Sequence, residues 1–198
     1  MRPIPQKAII ISERNPSCPL FFISLRKGKY GHQEAGREKI RMTHQTYIGD
    51  LHIHSRFSRA TSKDGDPEHL EFMARKKGIH ILGTGDFTHP TWRAELMEKL
   101  EPAEDGLYVL KEEYRIHQEG VPEEKPRFLV TGEISSIYKK NERVRKVHSL
   151  LLLPGLEEAE ALSRRLELIG NIHSDGRPIL GLDCRDLLEI MLETCPEA

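Results

Sequence analysis

The sequence predicts an α/β fold, and three of its features lead to that class. From residue 46 onward, apolar runs of strand length recur along the chain. Between them lie stretches whose apolar residues recur three and four positions apart, which is the period of an amphipathic helix. Glycine and proline separate the two kinds of segment. Because strands that alternate with helices build βα units, we expect one mostly parallel sheet, either open or closed into a barrel.

The composition is that of one globular domain with no large bulk charge. The chain has 198 residues, of which 37% are hydrophobic and 31% charged, and its net charge is −1. A nucleic-acid partner would therefore have to bind a local basic surface. Three widely spaced cysteines, Cys18, Cys184 and Cys195, fit neither a disulfide framework nor a zinc ribbon and indicate a reducing, cytoplasmic setting. No apolar run approaches the ~18 residues of a membrane helix, so no membrane partner is expected.

The first 45 residues differ from the rest of the chain. They contain four prolines, a short β-like run at 8–11 and a polar, basic stretch at 26–41, without helical periodicity. We expect residues 1–45 to be an N-terminal extension that is disordered or precedes the native start, and residues 46–198 to form the folded domain. Met42 is the candidate native start, which N-terminal sequencing of the native protein would test.

The first predicted unit consists of a strand, a helix and a second strand. Residues 47–54 form the first strand. Asp66 followed by Pro67 predicts a helix N-cap with proline at the first helical position. Gly78 predicts the C-terminal end of that helix. The second strand, at 79–83, follows directly.

The remaining segments continue the alternation. In chain order we predict a short helix at 91–100, an extended or hairpin segment at 107–116, and strands at 128–134 and 144–153. A helix from 156 to 170 follows, and residues 186–192 form the beginning of a last helix. The longest of these helices rests on Leu156, Ala159, Leu162, Leu166 and Ile169, which recur at helical spacing.

Two histidines one residue apart, His52 and His54, are the strongest chemical signal in the sequence. In a strand, residues i and i+2 point to the same face, so both imidazoles would project toward one point. Neutral imidazole is the commonest protein ligand of transition metals. Asp50, two residues earlier, could add an oxygen ligand or orient a ring. The alternative is a surface strand with two chance histidines.

Further side chains of metal-binding type accompany the next three predicted strands. They are Asp86 and His89 after the second strand, Glu133 at the end of the third and His148 within the fourth. Because the C-terminal ends of parallel strands meet at one rim, we expect these residues to join the histidine pair. A mixed histidine and carboxylate set suits Zn²⁺, Mn²⁺ or Fe rather than Ca²⁺. A central carboxylate can bridge two metals, which together clamp the attacking and leaving oxygens of a phosphate ester.

Each of these residues also has a purely structural explanation. Asp86 after a glycine could make an Asx turn, Glu133 could be a capping or ion-paired acid, and His148 could be a hydrogen-bonded core histidine. Taken together with the histidine pair, they favour a metal site. The other histidines of this region, His69, His80, His117 and His173, are predicted to be incidental.

The sequence Asp50-Leu51-His52-Ile53-His54-Ser55 resembles the first motif of the polymerase and histidinol phosphatase (PHP) domain. Longer blocks are similar to the endonuclease Q family. They are DLHIHSRFSRATSK at 50–63, LGTGDFTHP at 82–90, EISSIYKK at 133–140 running on to 144–148, and SDGRPILGLD at 174–183. The resemblance covers residues 46–198 and nothing before residue 42.

The resemblance implies a partial, distorted (β/α)₇ TIM-like barrel of PHP type with two or three divalent metals, Zn²⁺, Mn²⁺ or Mg²⁺. It implies a metal-dependent endonuclease of DNA repair that nicks DNA on the 5′ side of deaminated bases such as uracil and hypoxanthine. It assigns metal ligation to His52, His54, Glu133 and His148. Asp86 would be a ligand or a residue that orients one, His89 is the alternative ligand of the second motif, and Asp86 and Glu133 would be the catalytic residues.

Two positions depart from the PHP pattern. Phe87 stands where many members have a histidine directly after the second-motif aspartate, which leaves the choice between Asp86 and His89 open. Ala60 stands where many members carry a further histidine, which argues against a full three-metal site.

The chain ends at Ala198, after a predicted helix and before the later histidine motif and the final Asp-x-His motif of PHP proteins. A parallel strand needs its next neighbour to cover its edge. We therefore expect the N-terminal portion of a PHP phosphoesterase domain, truncated before the barrel closes, with weak or absent activity by itself.

Two basic clusters flank the predicted site. The first comprises Arg56, Arg59 and Lys63, and the second comprises Lys139, Lys140, Arg143, Arg145 and Lys146, with Tyr138 beside it. Lysine and arginine position a phosphate backbone, and a tyrosine can stack on a base. Together with the resemblance to endonuclease Q, these clusters imply DNA that contains deaminated bases as the partner. A solvated hairpin tip is the alternative explanation for residues 139–142.

Two other functions are compatible with the same residues. One is a PHP-type phosphatase that acts on a small phosphomonoester. The other is a PHP module without turnover that serves as a structural part of a larger DNA-processing protein. Site-specific nicking of a uracil- or inosine-containing duplex, measured beside hydrolysis of p-nitrophenyl phosphate, separates the three.

Overall fold

A computed structural model describes residues 9–13, 21–26 and 44–198 of the chain. Its strands are β1 (Ile9–Glu13), β2 (Phe21–Arg26), β3 (His44–Asp50), β4 (Ile81–Gly83), β5 (Leu100–Pro102), β6 (Leu107–Leu110), β7 (Arg127–Lys140), β8 (Arg143–Leu153) and β9 (Ile179–Leu180). Its helices are α1 (Pro67–Lys77), α2 (Pro90–Lys99), α3 (Leu156–Glu167) and α4 (Cys184–Thr194), with a short 3₁₀ turn at Glu112–Tyr114. The fold is therefore α/β, as predicted.

The described strands form one open, mixed sheet in the order β1-β2-β3-β4-β7-β6-β5. The pairs β3–β4 and β4–β7 are parallel, whereas β5, β6 and the two N-terminal strands pair antiparallel. The predicted parallel arrangement thus holds for the centre of the sheet. Two segments of the predicted N-terminal extension, β1 and β2, lie in this sheet, while the division of the chain at residue 45 stays a prediction.

Strand β7 is the element around which the site is built. Its first half pairs with β4 and β6, and its second half pairs antiparallel with β8 and parallel with β9. The β7–β8 connection is a two-residue turn at Asn141 and Glu142, both with positive φ, of 52° and 61°. Positive φ at both central residues is the geometry of a type I′ hairpin, whose twist matches that of the strands.

This hairpin corrects one sequence prediction. Glu133 was expected at the C-terminal end of a strand at 128–134, but β7 continues to Lys140 and Glu133 lies at its middle. His148 was expected at the same rim, but β8 runs antiparallel to β7, so the rim argument does not apply to it. The reason is the tight turn, since parallel neighbours need a long crossover connection.

The helices follow local sequence signals closely. The side chain of Asp66 accepts a hydrogen bond from the His69 backbone N–H at the start of α1, and Gly78 caps its end with φ 68°. Helix α3 buries Leu156, Ala159, Leu162 and Leu166, as its apolar period predicts. The main core includes Phe87, Trp92, Leu96 and Phe128, all fully buried. Among the described residues, no helix is long and apolar enough to cross a membrane.

Candidate metal centre

His52 and His54 lie in an irregular segment that follows β3, not within a strand. The strand ends at Asp50, so the prediction of a strand through His54 is wrong. Beyond it, the backbone packs against a glycine: a Cβ on Gly85 would lie 2.4 Å from the Ile53 carbonyl oxygen. The two imidazoles nevertheless converge, with ring centroids 5.5 Å apart and planes inclined by 68°.

The carboxylate of Glu133 lies at the centre of this convergence. Its side chain is 2% exposed, and Oε2 accepts a hydrogen bond from His52 Nε2 at 2.8 Å. The same oxygen is 3.3 Å from His54 Nε2. The other oxygen, Oε1, contacts Nδ1 of His148. One buried carboxylate thus contacts three imidazoles that come from two separate parts of the chain.

His148 reaches Glu133 from the neighbouring strand. It pairs with Ser135 across the hairpin, and its Nε2 lies 3.4 Å from the Ser135 hydroxyl. The side chain is 54% exposed, so the alternative of a core histidine does not hold. An exposed imidazole against a buried carboxylate leaves one side of the cluster open to solvent.

Asp86 contacts the Nδ1 edge of the His54 ring. Its Oδ1 lies 2.9 Å from His54 Nδ1, on the ring edge opposite to Glu133. Its Oδ2 accepts hydrogen bonds from the Ser55 N–H at 2.7 Å, the Ser55 hydroxyl at 2.6 Å and the Ser58 hydroxyl at 2.9 Å. Both oxygens of the fully buried carboxylate therefore have hydrogen-bond partners, and the contact with Nδ1 orients the His54 ring.

His89 lies apart from this cluster. Its ring accepts a hydrogen bond from the Trp92 N–H at 3.4 Å and so caps α2. The ring also stacks on Phe57, with centroids 4.3 Å apart. Burial lowers the pKa of His89. Of the two second-motif candidates, the structure brings Asp86 and not His89 into contact with the histidine pair.

Charges within the cluster shift its titrations in opposite directions. The hydrogen bond to Asp86 raises the pKa of His54 above its ordinary value, although burial opposes this. Burial acts to raise the pKa of Glu133, but the hydrogen bond with His52 and the charges of His148 and Arg177 hold it below its usual range. Glu133 is thus a carboxylate, the form that a metal ion binds.

The donor set fits a divalent metal. One ligand atom each from His52, His54 and Glu133 lies within 4.8 Å of the others. Glu133 Oε1 is buried and makes no hydrogen bond of regular geometry within the described residues; the His148 Nδ1 atom lies against it. A buried carboxylate in this position is stabilised by a nearby cation. Imidazole nitrogen with carboxylate oxygen is the set that suits Zn²⁺, Mn²⁺ or Fe.

Asp50 and the four other histidines of this region lie outside the group. Burial raises the pKa of Asp50, and its Oδ1 has no hydrogen-bond partner among the described residues. His80 Nδ1 accepts a hydrogen bond from the Ile48 N–H, and His69 lies beside Asp66 at the start of α1. His117 and His173 are exposed beside acidic side chains. None of these belongs to the group formed by His52, His54 and Glu133.

The predicted DNA-contacting residues fall into two kinds. Three of them form ion pairs: Arg56 with Glu95 at 2.8 Å, Arg59 with Asp175 at 3.3 Å and Lys140 with Asp183 at 2.6 Å. The others, Lys139, Arg145 and Lys146, are exposed at the hairpin tip. The Tyr138 hydroxyl lies 3.4 Å from Cys184 Sγ, which raises the pKa of Tyr138 to about 12.

The hairpin register separates the tip residues by face. Opposed residues of an antiparallel pair share a face, and residues two apart on one strand do so as well. Lys146 opposes Ile137, two positions beyond the Ser135–His148 pair. We call the face that carries Glu133, Ser135, His148, Lys139 and Lys146 the site face. Arg145 and Lys140 lie on the opposite face of the hairpin.

Four residues of the site were not singled out from the sequence. The hydroxyls of Ser55 and Ser58 donate hydrogen bonds to the Asp86 carboxylate, and Gly176 packs against it. Arg177 Nη1 lies 3.9 Å from Glu133 Oε2. Each falls within the sequence blocks 50–63 or 174–183 that resemble endonuclease Q. Membership of those blocks was the one signal available, since none is of the residue types that predict a metal ligand.

Comparison with known proteins gives one curated relative and two solved structures. No protein-family model matches the chain. An uncharacterized protein of Methanocaldococcus jannaschii is 34% identical over 143 residues, which make up 72% of this chain and 14% of that protein.

The two solved structures are similar over 74% of this chain, with 32% identity and a TM-score of 0.57. One is the lesion-specific endonuclease Q of Pyrococcus furiosus. The other is endonuclease Q in complex with a 27-mer duplex substrate that has an abasic lesion at the active site. This chain spans 32% of the length of either.

Proposed function

Since this chain is an endonuclease Q-like protein, we propose that it supplies the metal-binding part of a DNA endonuclease. The reaction is hydrolysis of a phosphodiester on the 5′ side of a deaminated base, as a step of DNA repair. The substrate is duplex DNA that contains uracil, hypoxanthine or a related lesion. We further propose that the sheet belongs to a distorted barrel of PHP type.

The convergence of two histidines on one buried glutamate carries this proposal. His52, His54 and Glu133 offer ligand atoms within 4.8 Å of one another, in a chain 32% identical to a lesion-specific endonuclease. His148 contacts the other oxygen of the same carboxylate through its Nδ1 atom. Glu133 is therefore the residue that contacts the histidine pair with one oxygen and His148 with the other, and it would hold the metal together with them.

The chain's own residues then have separable roles. A divalent metal at this site would polarise the phosphate and make water a stronger nucleophile at neutral pH. His52, His54, Glu133 and His148 would hold the metal. Asp86 keeps the His54 ring in place and, by accepting at Nδ1, directs the Nε2 lone pair toward Glu133.

The site face also supplies a path for the DNA backbone. Lys146 lies two residues from His148 on the same face of β8, about 7 Å along the strand. Lys139 extends the positive charge on β7. Lysines at that spacing from a metal centre can contact the phosphates next to the scissile one, with a salt-dependent affinity.

The test uses one set of duplexes and one set of variants. Duplexes with a single uracil, inosine or abasic site, and an undamaged duplex of the same sequence, are incubated with the full-length protein and Mg²⁺, Mn²⁺ or Zn²⁺. We expect a single nick beside the lesion, lost in His52→Ala and Glu133→Ala and kept in His173→Ala, an exposed histidine elsewhere. Hydrolysis of p-nitrophenyl phosphate without nicking would instead identify a phosphatase. If the protein shows neither nicking nor phosphatase activity, the result would identify a module without turnover.

A further inference from the structure

The segment 174–178 has a backbone fixed against the site on three sides. The Gly176 N–H donates to the Phe57 carbonyl at 3.0 Å, and its carbonyl accepts from the Thr88 hydroxyl at 3.4 Å. The Pro178 carbonyl accepts from the Ser135 N–H at 3.0 Å, where β9 joins β7. The Arg177 N–H itself donates to Asp175 Oδ1 at 3.0 Å. The position of Arg177 is thereby set by the fold.

The side chain of Arg177 is directed at the metal-binding carboxylate. The parallel register pairs Ser135 with Ile179, and its continuation places Arg177 beside Glu133. Nη1 lies 3.9 Å from Glu133 Oε2, too far for a hydrogen bond. Among the described residues, the guanidinium donates no hydrogen bond, and it is 40% exposed.

A guanidinium in this position is poorly explained by structure alone. Other described arginines near the site are engaged: Arg56 with Glu95, Arg59 with Asp175, and Arg93 with the Phe87 carbonyl. A cation beside a metal site is repelled by the metal. An anion that approaches the metals from solvent would remove that repulsion.

We propose that Arg177 binds a non-bridging phosphate oxygen of the substrate and holds the scissile phosphate against the metal centre. This assignment rests on the proposed phosphodiester chemistry of the site. The planar fork of arginine matches two phosphate oxygens at once, with charge-assisted hydrogen bonds.

Inorganic phosphate is the probe for the test, because its binding needs no turnover. Titration calorimetry measures phosphate affinity in Mn²⁺-loaded and metal-free protein for the native chain, Arg177→Ala, Arg177→Lys and the control Arg164→Ala. Arg164 is an exposed arginine of α3 that pairs with Glu160 on its own helix. We expect phosphate affinity to fall about tenfold or more in Arg177→Ala, less in Arg177→Lys, and not in Arg164→Ala.

Metal content and thermal unfolding are measured on the same samples. Unchanged phosphate affinity in Arg177→Ala at native metal content would overturn the assignment. A fall in Arg177→Lys alone, if the alanine variant does not fold, still supports it, because lysine keeps the charge and loses the fork. Phosphate binding through Arg177, in a full-length protein that nicks no lesion duplex, would overturn the endonuclease proposal and leave Arg177 as a phosphate-binding residue. Nicking of the lesion duplex by the native protein, with unchanged phosphate affinity in Arg177→Ala, would support the endonuclease proposal and overturn the assignment of Arg177.

Discussion

Asp86 contacts His54 on one edge of the imidazole ring while Glu133 lies at the other. The distances are 2.9 Å from Asp86 Oδ1 to Nδ1 and 3.3 Å from Nε2 to Glu133 Oε2. Because the Asp86 carboxylate accepts a hydrogen bond from Nδ1–H, the proton of the neutral ring stays on Nδ1. Nε2 then presents its lone pair toward the cluster. The ring is therefore oriented before any metal binds.

Replacing Asp86 should weaken metal binding without removing a ligand. In Asp86→Asn we expect the affinity for Zn²⁺ or Mn²⁺ to fall about 10- to 100-fold, the usual cost of losing such a partner. His89→Ala should keep native affinity and lose stability, since its side chain caps α2. Competition with a metallochromic chelator measures both. A larger affinity loss in His89→Ala would make His89 the second-motif ligand.

Removing a ligand should abolish the stabilisation that metal gives. A ligand that binds the folded state alone stabilises it by about 2.7 kcal/mol at a concentration 100 times Kd. We expect Zn²⁺ or Mn²⁺ to raise Tm in the native protein, EDTA to reverse the shift, and Glu133→Ala to show no shift. His173→Ala should behave as native. A native-like shift in Glu133→Ala would place the metal elsewhere.

Gly176 should not tolerate a side chain. A Cβ there would lie 2.2 Å from Asp86 Oδ2 and 2.7 Å from the Ser58 hydroxyl oxygen. Gly176→Ala must therefore displace the carboxylate that orients His54, and we expect destabilisation of about 1–3 kcal/mol together with weaker metal binding. Gly181→Ala is the matched control, because a Cβ there meets no atom of the described residues within 4 Å. Urea unfolding of both variants checks the difference.

The two faces of the hairpin tip should differ in DNA binding. Lys146 lies on the site face and Arg145 on the opposite one. We expect Lys146→Ala to weaken duplex binding and to reduce the slope of log K against log salt by about 1, whereas Arg145→Ala has a smaller effect. Fluorescence anisotropy at several salt concentrations measures both. Equal effects would mean that the DNA wraps around the tip.

A buried ion pair outside the site should contribute to stability. Glu71 is 1% exposed and lies 3.0 Å from both Arg75 Nε and Arg115 Nε. Arg75 also donates to the Pro122 carbonyl at 2.9 Å. Arg75→Ala leaves the Pro122 carbonyl without this donor and Glu71 with Arg115 as its remaining cation, so we expect a loss of about 1–3 kcal/mol. Lys76→Ala, exposed on the same helix, should be within about 0.5 kcal/mol of native in the same denaturation experiment.

Local signals in the sequence predict elements because their causes are local. Asp66, Pro67 and Gly78 define the start and end of α1 through contacts within a few residues. The Leu156–Leu166 period predicts α3 for the same reason. The strand limits were less accurate, since β3 ends at Asp50 and β7 continues past Glu133. A strand ends where its neighbour stops pairing, and that neighbour is distant in sequence.

The sequence by itself determined the class of the fold and the residue types of a metal site: two histidines one residue apart, with a glutamate and a further histidine downstream. Only the tertiary structure decided how they meet. His52 and Glu133 are 81 residues apart and hydrogen-bonded, Asp86 and not His89 reaches His54, and Arg177 lies beside the same carboxylate. Each of these is a long-range contact, and its geometry follows from strand pairing and glycine packing rather than from local pattern.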